Sequence, residues 1–179
     1  MREFYDIVRL VVSFLDKNNI PYMVVGAISV AIWGAPRTSQ DIDLLIYLKD
    51  EDIGKMAEFC RKNKLAADEE EIKGAFRAKS HVTIFDDESS YRLDIKGVYD
   101  ELDKLTFSRR KKVNFRDLVL FVNTPEDSIL AKLVYGSQQD LNDAKTMLLR
   151  QKGKLDMGYL KKEAKHFHVS GALSVLLKK

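Results

Sequence analysis

At 179 residues the chain is long enough for one domain that buries about 70% of its unfolded surface, so it needs no covalent staples. A hydrophobic share of 45%, a charged share of 32% and a single cysteine, Cys60, are those of an ordinary globular protein and exclude an internal disulfide framework. The charge of +3, from 30 Lys+Arg against 27 Asp+Glu, permits a nucleic-acid partner without demanding one.

Glu3 and Asp6 stand where a signal peptide would be apolar, and no apolar run approaches the roughly 18 residues of a membrane span. A soluble cytoplasmic protein with no membrane partner is therefore expected. Arg2 to Asn18 carries Phe4, Ile7, Val8, Val11 and Leu15 at helical spacing. Tyr22 to Val25 reads as a short buried strand stopped by Gly26, and Ala27 to Trp33 as a short helix closed by Gly34. After a loop over 35–40, Asp41 to Leu48 is strand-like. Asp50 caps a helix with the stripe Ile53, Met56, Ala57 and Cys60. The acids Asp68–Glu71 read as a turn, followed by strands at Ala75–Ala78, Val82–Phe85 and Tyr91–Val98. A short helix is expected over Glu101–Arg110 and a strand over Leu118–Val122.

Thr124-Pro125-Glu126-Asp127 is a strong helix start, with Thr as cap, Pro in the first turn and acids behind it. Gly136-Ser137 breaks that helix. A second follows from about Asp140 to Gln151, and a third is capped by Asp156 with Met157, Leu160, Ala164 and Phe167 aligned. The block Arg109–Lys112 and the lysines at 152, 154, 161, 162, 165, 178 and 179 read as solvated helix faces. The expected fold class is α/β (α+β): a mixed sheet flanked by helices over 1–122, with a C-terminal helical segment, 123–179, packed on it.

The chemistry concentrates in Val25-Gly26-Ala27, a helix-length spacer, and Arg37-Thr38-Ser39-Gln40-Asp41-Ile42-Asp43-Leu44. Two residues apart on a strand, Asp41 and Asp43 leave the same face, and like charges so close repel unless a cation lies between them. Hard, oxygen-ligated Mg2+ suits such a pair, with Mn2+ an alternative. Asp94, on the polar side of its strand, is the third carboxylate needed for a two-metal site. The turn at Gly26 offers free N–H groups at a helix start, where a phosphate binds well. Asp-x-Asp alone arises by chance; strand, Gly turn, helix, Arg-x-Ser loop and Asp-Ile-Asp strand together are specific.

Residues 22–46 resemble the nucleotidyltransferase signature, Gly-Gly/Ser followed about a dozen residues later by Asp-x-Asp. The form GAISVAIWGAPRTSQDIDLLI is most similar to the branch holding the abortive-infection type IV toxins, and it also resembles the aminoglycoside nucleotidyltransferases. In the toxin branch a helix bearing a lysine follows, then Lys-Asp-x-x-Asp. Lys132 and Gln139-Asp140-Leu141-Asn142-Asp143 match these loosely.

The resemblance implies Asp41, Asp43 and Asp94 as metal ligands, Asp94 also as base, Lys132 on the triphosphate, and Asp140 orienting that lysine or the acceptor. Gly26, Ala27, Arg37 and Ser39 would complete the nucleotide contacts, with Arg37 on a phosphate or paired to a carboxylate. It implies transfer of a nucleotidyl group from a nucleoside triphosphate such as ATP to a hydroxyl of RNA or tRNA, a protein or a small molecule. An antitoxin partner would follow from the toxin branch. Ala27 departs from the pattern by lacking a hydroxyl, and Gln139 by lacking a charge. Both departures favour the rival reading, a non-catalytic nucleotide-binding or toxin–antitoxin module; antibiotic nucleotidylation is a third. His166 and His168, at i and i+2, point apart on a helix and cannot share an ion. They read as structural, as does His81, and Trp33 and Tyr22 read as core.

Overall fold

A computed structural model describes residues 2–178; Met1 and Lys179, the last of the C-terminal lysines noted above, lie outside the described residues. In chain order the elements are α1 (Phe4–Lys17), β1 (Tyr22–Val24), α2 (Gly26–Trp33), β2 (Asp41–Ile46), α3 (Asp50–Lys62), β3 (Leu65–Ala66), α4 (Glu69–Arg77), β4 (His81–Asp86), β5 (Arg92–Gly97), α5 (Glu101–Ser108), β6 (Lys111–Phe115), β7 (Leu118–Val122), α6 (Pro125–Tyr135), α7 (Gln138–Arg150), α8 (Met157–His166) and α9 (Ser170–Leu177). The strands form one mixed sheet in the order β3-β4-β5-β2-β1-β7-β6. The expected mixed sheet flanked by helices is present.

Period-two alternation gives this sheet two unlike faces. Ile42, Leu44 and Ile46 point to one side with Tyr22, Val24, Leu93, Ile95, Leu120 and Val122, and α1 and α3 close this main core with Val8, Val11, Leu15, Met56 and Cys60. Burial pushes the Cys60 thiol up to about 12, so it stays protonated and unreactive. The other face carries Asp41, Asp43 and Leu45, where Met23, Leu45 and Phe107 of α5 form a small cluster. A third cluster joins Val30 of α2 and Leu102 of α5 to Ile129, Leu130, Leu133, Met147 and Leu160, which fixes the C-terminal helices onto the sheet layer. No described helix is long and apolar enough to cross a membrane.

Four local expectations are corrected. The Asp68–Glu71 acids are not a turn but the start of α4: Asp68 accepts from the Glu71 N–H, and Glu71 accepts in return from the Asp68 N–H. Ala75–Ala78, read as a strand, is the end of that helix and its cap. The basic block is not a helix face, because α5 ends at Ser108 and Lys111–Lys112 open the edge strand β6. Lys49 caps α3, with Asp50, Glu51 and Asp52 filling its first turn.

Candidate active site

Gly26 determines the geometry of the site from the backbone outward. Its φ of +59° is a left-handed conformation, and a Cβ there would stand 1.8 Å from Oδ2 of Asp43. The carboxylate of Asp43 therefore lies against the start of α2, and the Val25 N–H donates to the Asp43 carbonyl at 3.0 Å. No side chain caps the first turn of α2. Gly26→Ala is expected to cost at least about 2 kcal/mol, by backbone strain and by displacing Asp43. Urea unfolding measures that loss, and Asp43→Gly in the same background should recover part of it.

Register brings the acids together. On the parallel pair β2–β5, Asp41 stands opposite Arg92 and Asp43 opposite Asp94; on β4, Thr83 stands opposite Asp94. Thr83 donates to Asp94 Oδ1 at 2.6 Å. Arg92 Nη2 lies 2.7 Å from Asp41 Oδ1, and its Nε lies 3.9 Å from Asp94 Oδ2. The Arg92–Asp41 contact is electrostatic rather than directional, because Asp41 Oδ1 is buried and has no hydrogen-bond partner. Burial, then the charges of Asp94 and Asp41, push the Asp43 carboxyl up to about 6, with Lys132 and Arg37 opposing.

Among the described residues, no group of three or more His, Cys, Asp or Glu converges closely enough to hold a metal ion as it stands. The donor set nonetheless fits a hard cation. It is all oxygen, it leaves one buried carboxylate oxygen without a hydrogen bond, and its central acid is held up in pKa by burial and by the neighbouring carboxylates.

Helix α6 supplies the opposite wall, and α7 stands behind it. Ser128, Ala131, Lys132 and Tyr135 follow helical spacing on α6 and line, with the sheet residues, a cavity of about 450 Å³. A buried knot sets the height of α6: Ser29 donates to Asn123 at 2.5 Å and lies 3.1 Å from the Ser128 hydroxyl, and Trp33 Nε1 donates to the Asn123 carbonyl at 2.9 Å. Lys132 Nζ is held 2.6 Å from Asp140 and 3.1 Å from Asp143. Although burial works against it, the hydrogen bonds from Lys132 and Ser137 hold the Asp140 carboxyl below its ordinary value. Asp143 also accepts from Arg37 Nε at 3.2 Å and from Gln139 Nε2 at 2.9 Å.

Asp41, Asp43, Asp94, Lys132, Gly26, Arg37 and Ser39 thus line one cavity. Arg37 takes a carboxylate, Asp143. Ser39 accepts from the Asp41 N–H at 3.1 Å and shapes the turn into β2. Asp140 stands behind Lys132 and does not line the cavity. Ala27 lines a second hollow of about 710 Å³ that shares Arg37 and Ser39. Sequence reasoning missed Arg92 and Lys96, which share the face of Asp94 two residues either side of it on β5, and Thr83, which only the β4–β5 register places opposite Asp94. It also passed over Asp143, three residues after Asp140, and Tyr135, three after Lys132. His81, read as structural, lines the cavity opposite Lys96, whereas His166 pairs with Glu101 at 2.8 Å, away from the site.

No family model matches the chain, and no curated protein matches it in sequence. Solved structures do. It is similar to ANT(2'')-Ia in complex with adenylyl-2''-tobramycin, with a TM-score of 0.61, 10% identity, and 90% of this chain and 95% of that one covered. A second is an antigenic nucleotidyltransferase-like protein from Paracoccidioides brasiliensis, with a TM-score of 0.55, 15% identity, and 96% and 90% covered. A third is the lincosamide antibiotic adenylyltransferase LnuA, lincomycin-bound, with a TM-score of 0.54, 13% identity, and 78% and 93% covered. At these identities the likeness concerns architecture: the chain has the fold of the nucleotidyltransferases.

Proposed function

We propose that this protein is a nucleotidyltransferase that moves a nucleotidyl group from a nucleoside triphosphate to an acceptor hydroxyl in the cavity between β2, β5 and α6. The observation that carries the reading is the register Asp43–Asp94 with Asp41 beside it, packed on a glycine whose left-handed backbone and missing Cβ make room for the Asp43 carboxylate. Asp41, Asp43 and Asp94 would hold Mg2+, which when bound supplies charge neutralisation for the triphosphate and the leaving pyrophosphate. The uncapped turn at Gly26 offers N–H groups to the phosphates, and Lys132, held by Asp140 and Asp143, presents a positioned ammonium to them.

The acceptor oxygen forms its bond to the α-phosphorus as the bond to pyrophosphate breaks, and Asp94 takes the acceptor proton. Residues 1–122 carry the acids and 123–179 the lysine, so both segments would be needed. The acceptor classes are an RNA or tRNA end, a protein side chain or a small molecule, with a toxin-like role and an antitoxin partner within the first two. The antibiotic reading draws on ANT(2'')-Ia and LnuA. A non-catalytic module is favoured by Ala27 and Gln139, and by Arg92, which stands 2.7 Å from Asp41.

The test is transfer of α-phosphate label from each nucleoside triphosphate, with Mg2+, to RNA, to protein and to aminoglycosides. Metal-dependent incorporation that vanishes in Asp41→Ala/Asp43→Ala supports the reading. Undiminished incorporation by that double variant would sink it.

A further inference from the structure

We propose that the end of α5 and the β6–β7 hairpin form a docking surface for single-stranded nucleic acid, which makes a nucleic-acid end the acceptor of the transfer proposed above and rests on that reading. The surface begins with charge. Between residues 109 and 116 stand Arg109, Arg110, Lys111, Lys112 and Arg116. Arg109 is taken by the buried Asp127 at 3.0 Å, but among the described residues the other four have no carboxylate within ion-pair distance.

Lysines on an edge strand guard it against pairing with another sheet, and that alone would explain Lys111 and Lys112 on β6. It does not explain Arg110. This guanidinium is half-buried, 4.1 Å above the ring of Phe107 and 5.2 Å from that of Phe121. Its Nη1 donates to the Phe107 carbonyl at 2.8 Å, while its Nε is buried with no partner. Burial also pulls its pKa below the ordinary arginine value, with no acid nearby to restore it. A cation partly stripped of water without a counter-charge is unfavourable, and a phosphate would compensate it.

The aromatic rings decide between kinds of anion. Lys112 Nζ lies 5.2 Å over the same Phe121, and Tyr47, 53% exposed, packs edge-on against Phe107 at 5.7 Å. Phe107 is itself buried, so Tyr47 and the partly exposed Phe121 are the rings a base could reach; cations beside them suit phosphates and bases together, where an acidic peptide would use only the charge. The surface is also continuous with the cavity. Leu45 lines the cavity, lies two residues from both Asp43 and Tyr47, and packs on Phe107. A strand lying over Arg110 and Phe121 would thus deliver its end past Tyr47 towards Asp43.

Fluorescence anisotropy with labelled single-stranded RNA and DNA of about 12 nucleotides, without metal or triphosphate, tests this directly. Salt-dependent binding of either strand is expected. Arg110→Ala with Lys112→Ala should weaken it at least tenfold and flatten the log–log salt slope by about 1.4. Should that variant fail to fold by circular dichroism, Lys111→Glu with Lys112→Glu on the exposed edge must give the same loss. No binding at about 50 mM salt, unchanged binding by a folded variant, or polyglutamate competing as well as RNA would each overturn the proposal. Asp43→Ala separates the two readings. It should keep strand binding, so lost transfer with intact RNA binding speaks to the carboxylate site alone, and lost RNA binding with intact metal-dependent nucleotide binding ends only this surface.

Discussion

Asp43→Asn is expected to lower nucleotidyl transfer by at least about a hundredfold and, in the absence of metal, to make the protein more stable. Both effects have one cause. The folded protein holds the Asp43 carboxyl at about 6 against an ordinary 3.8, so between these values it binds more protons than the unfolded chain. Stability therefore falls as pH rises through that window, and the full penalty is present above it. A rise from 3.8 to about 6 corresponds to about 3 kcal/mol, and a domain of this size gains about 2–4 °C per kcal/mol, so the amide should raise Tm near pH 7.5 by about 6–12 °C. Between pH 4 and 6 the wild type should lose Tm with rising pH while the variant stays nearly level. Mg2+ should raise the Tm of the wild type and leave the variant unmoved. Thermal scans over pH, with and without the metal, read all of this in one series.

Asp143→Ala is expected to be the most destabilising change near the cavity. Its carboxylate is 4% exposed and neutralises Lys132 and Arg37 together, so its removal leaves one ammonium at 13% exposure short of a partner and one guanidinium unpaired. Breaking a buried ion pair from one side costs about 3–5 kcal/mol, or about 6–20 °C in Tm. Asp140→Ala removes a more exposed partner and the capping box that starts α7, and should cost about 1–2 kcal/mol. Urea unfolding of the two variants ranks them; equal losses would contradict the central place given to Asp143.

The features readable from sequence were those in which a local rule and the tertiary demand agree. The strand alternation that buries Ile42 and Leu44 also turns Asp41 and Asp43 outward, so one pattern reported both the core and the acids. Thr124-Pro125 announced α6 because capping chemistry is local. What escaped depends on register or on competing signals. Arg92 became a site residue only because β5 pairs in parallel with β2 so that 92 meets 41 and 94 meets 43. Nothing within β5 fixes that alignment. The acids of α4 resembled a turn because a capped first turn and a polar turn share a composition. Strand β6, Lys-Lys-Val-Asn-Phe, is an edge whose charges erase the apolar signal of a strand. Asp143 was visible as an acid, but its role as partner to both Lys132 and Arg37 arises from packing α7 against the 34–37 loop, where Arg150 also donates to the Gly34 carbonyl.

The most direct measurement is a calorimetric titration with each of the four nucleoside triphosphates, with and without Mg2+, on wild type and Asp43→Ala. Metal-dependent binding of at least one triphosphate, lost in the variant, is the predicted result. A folded wild type that binds none of the four, or a variant that binds as the wild type does, would contradict the assignment of Asp41, Asp43 and Asp94 as the site.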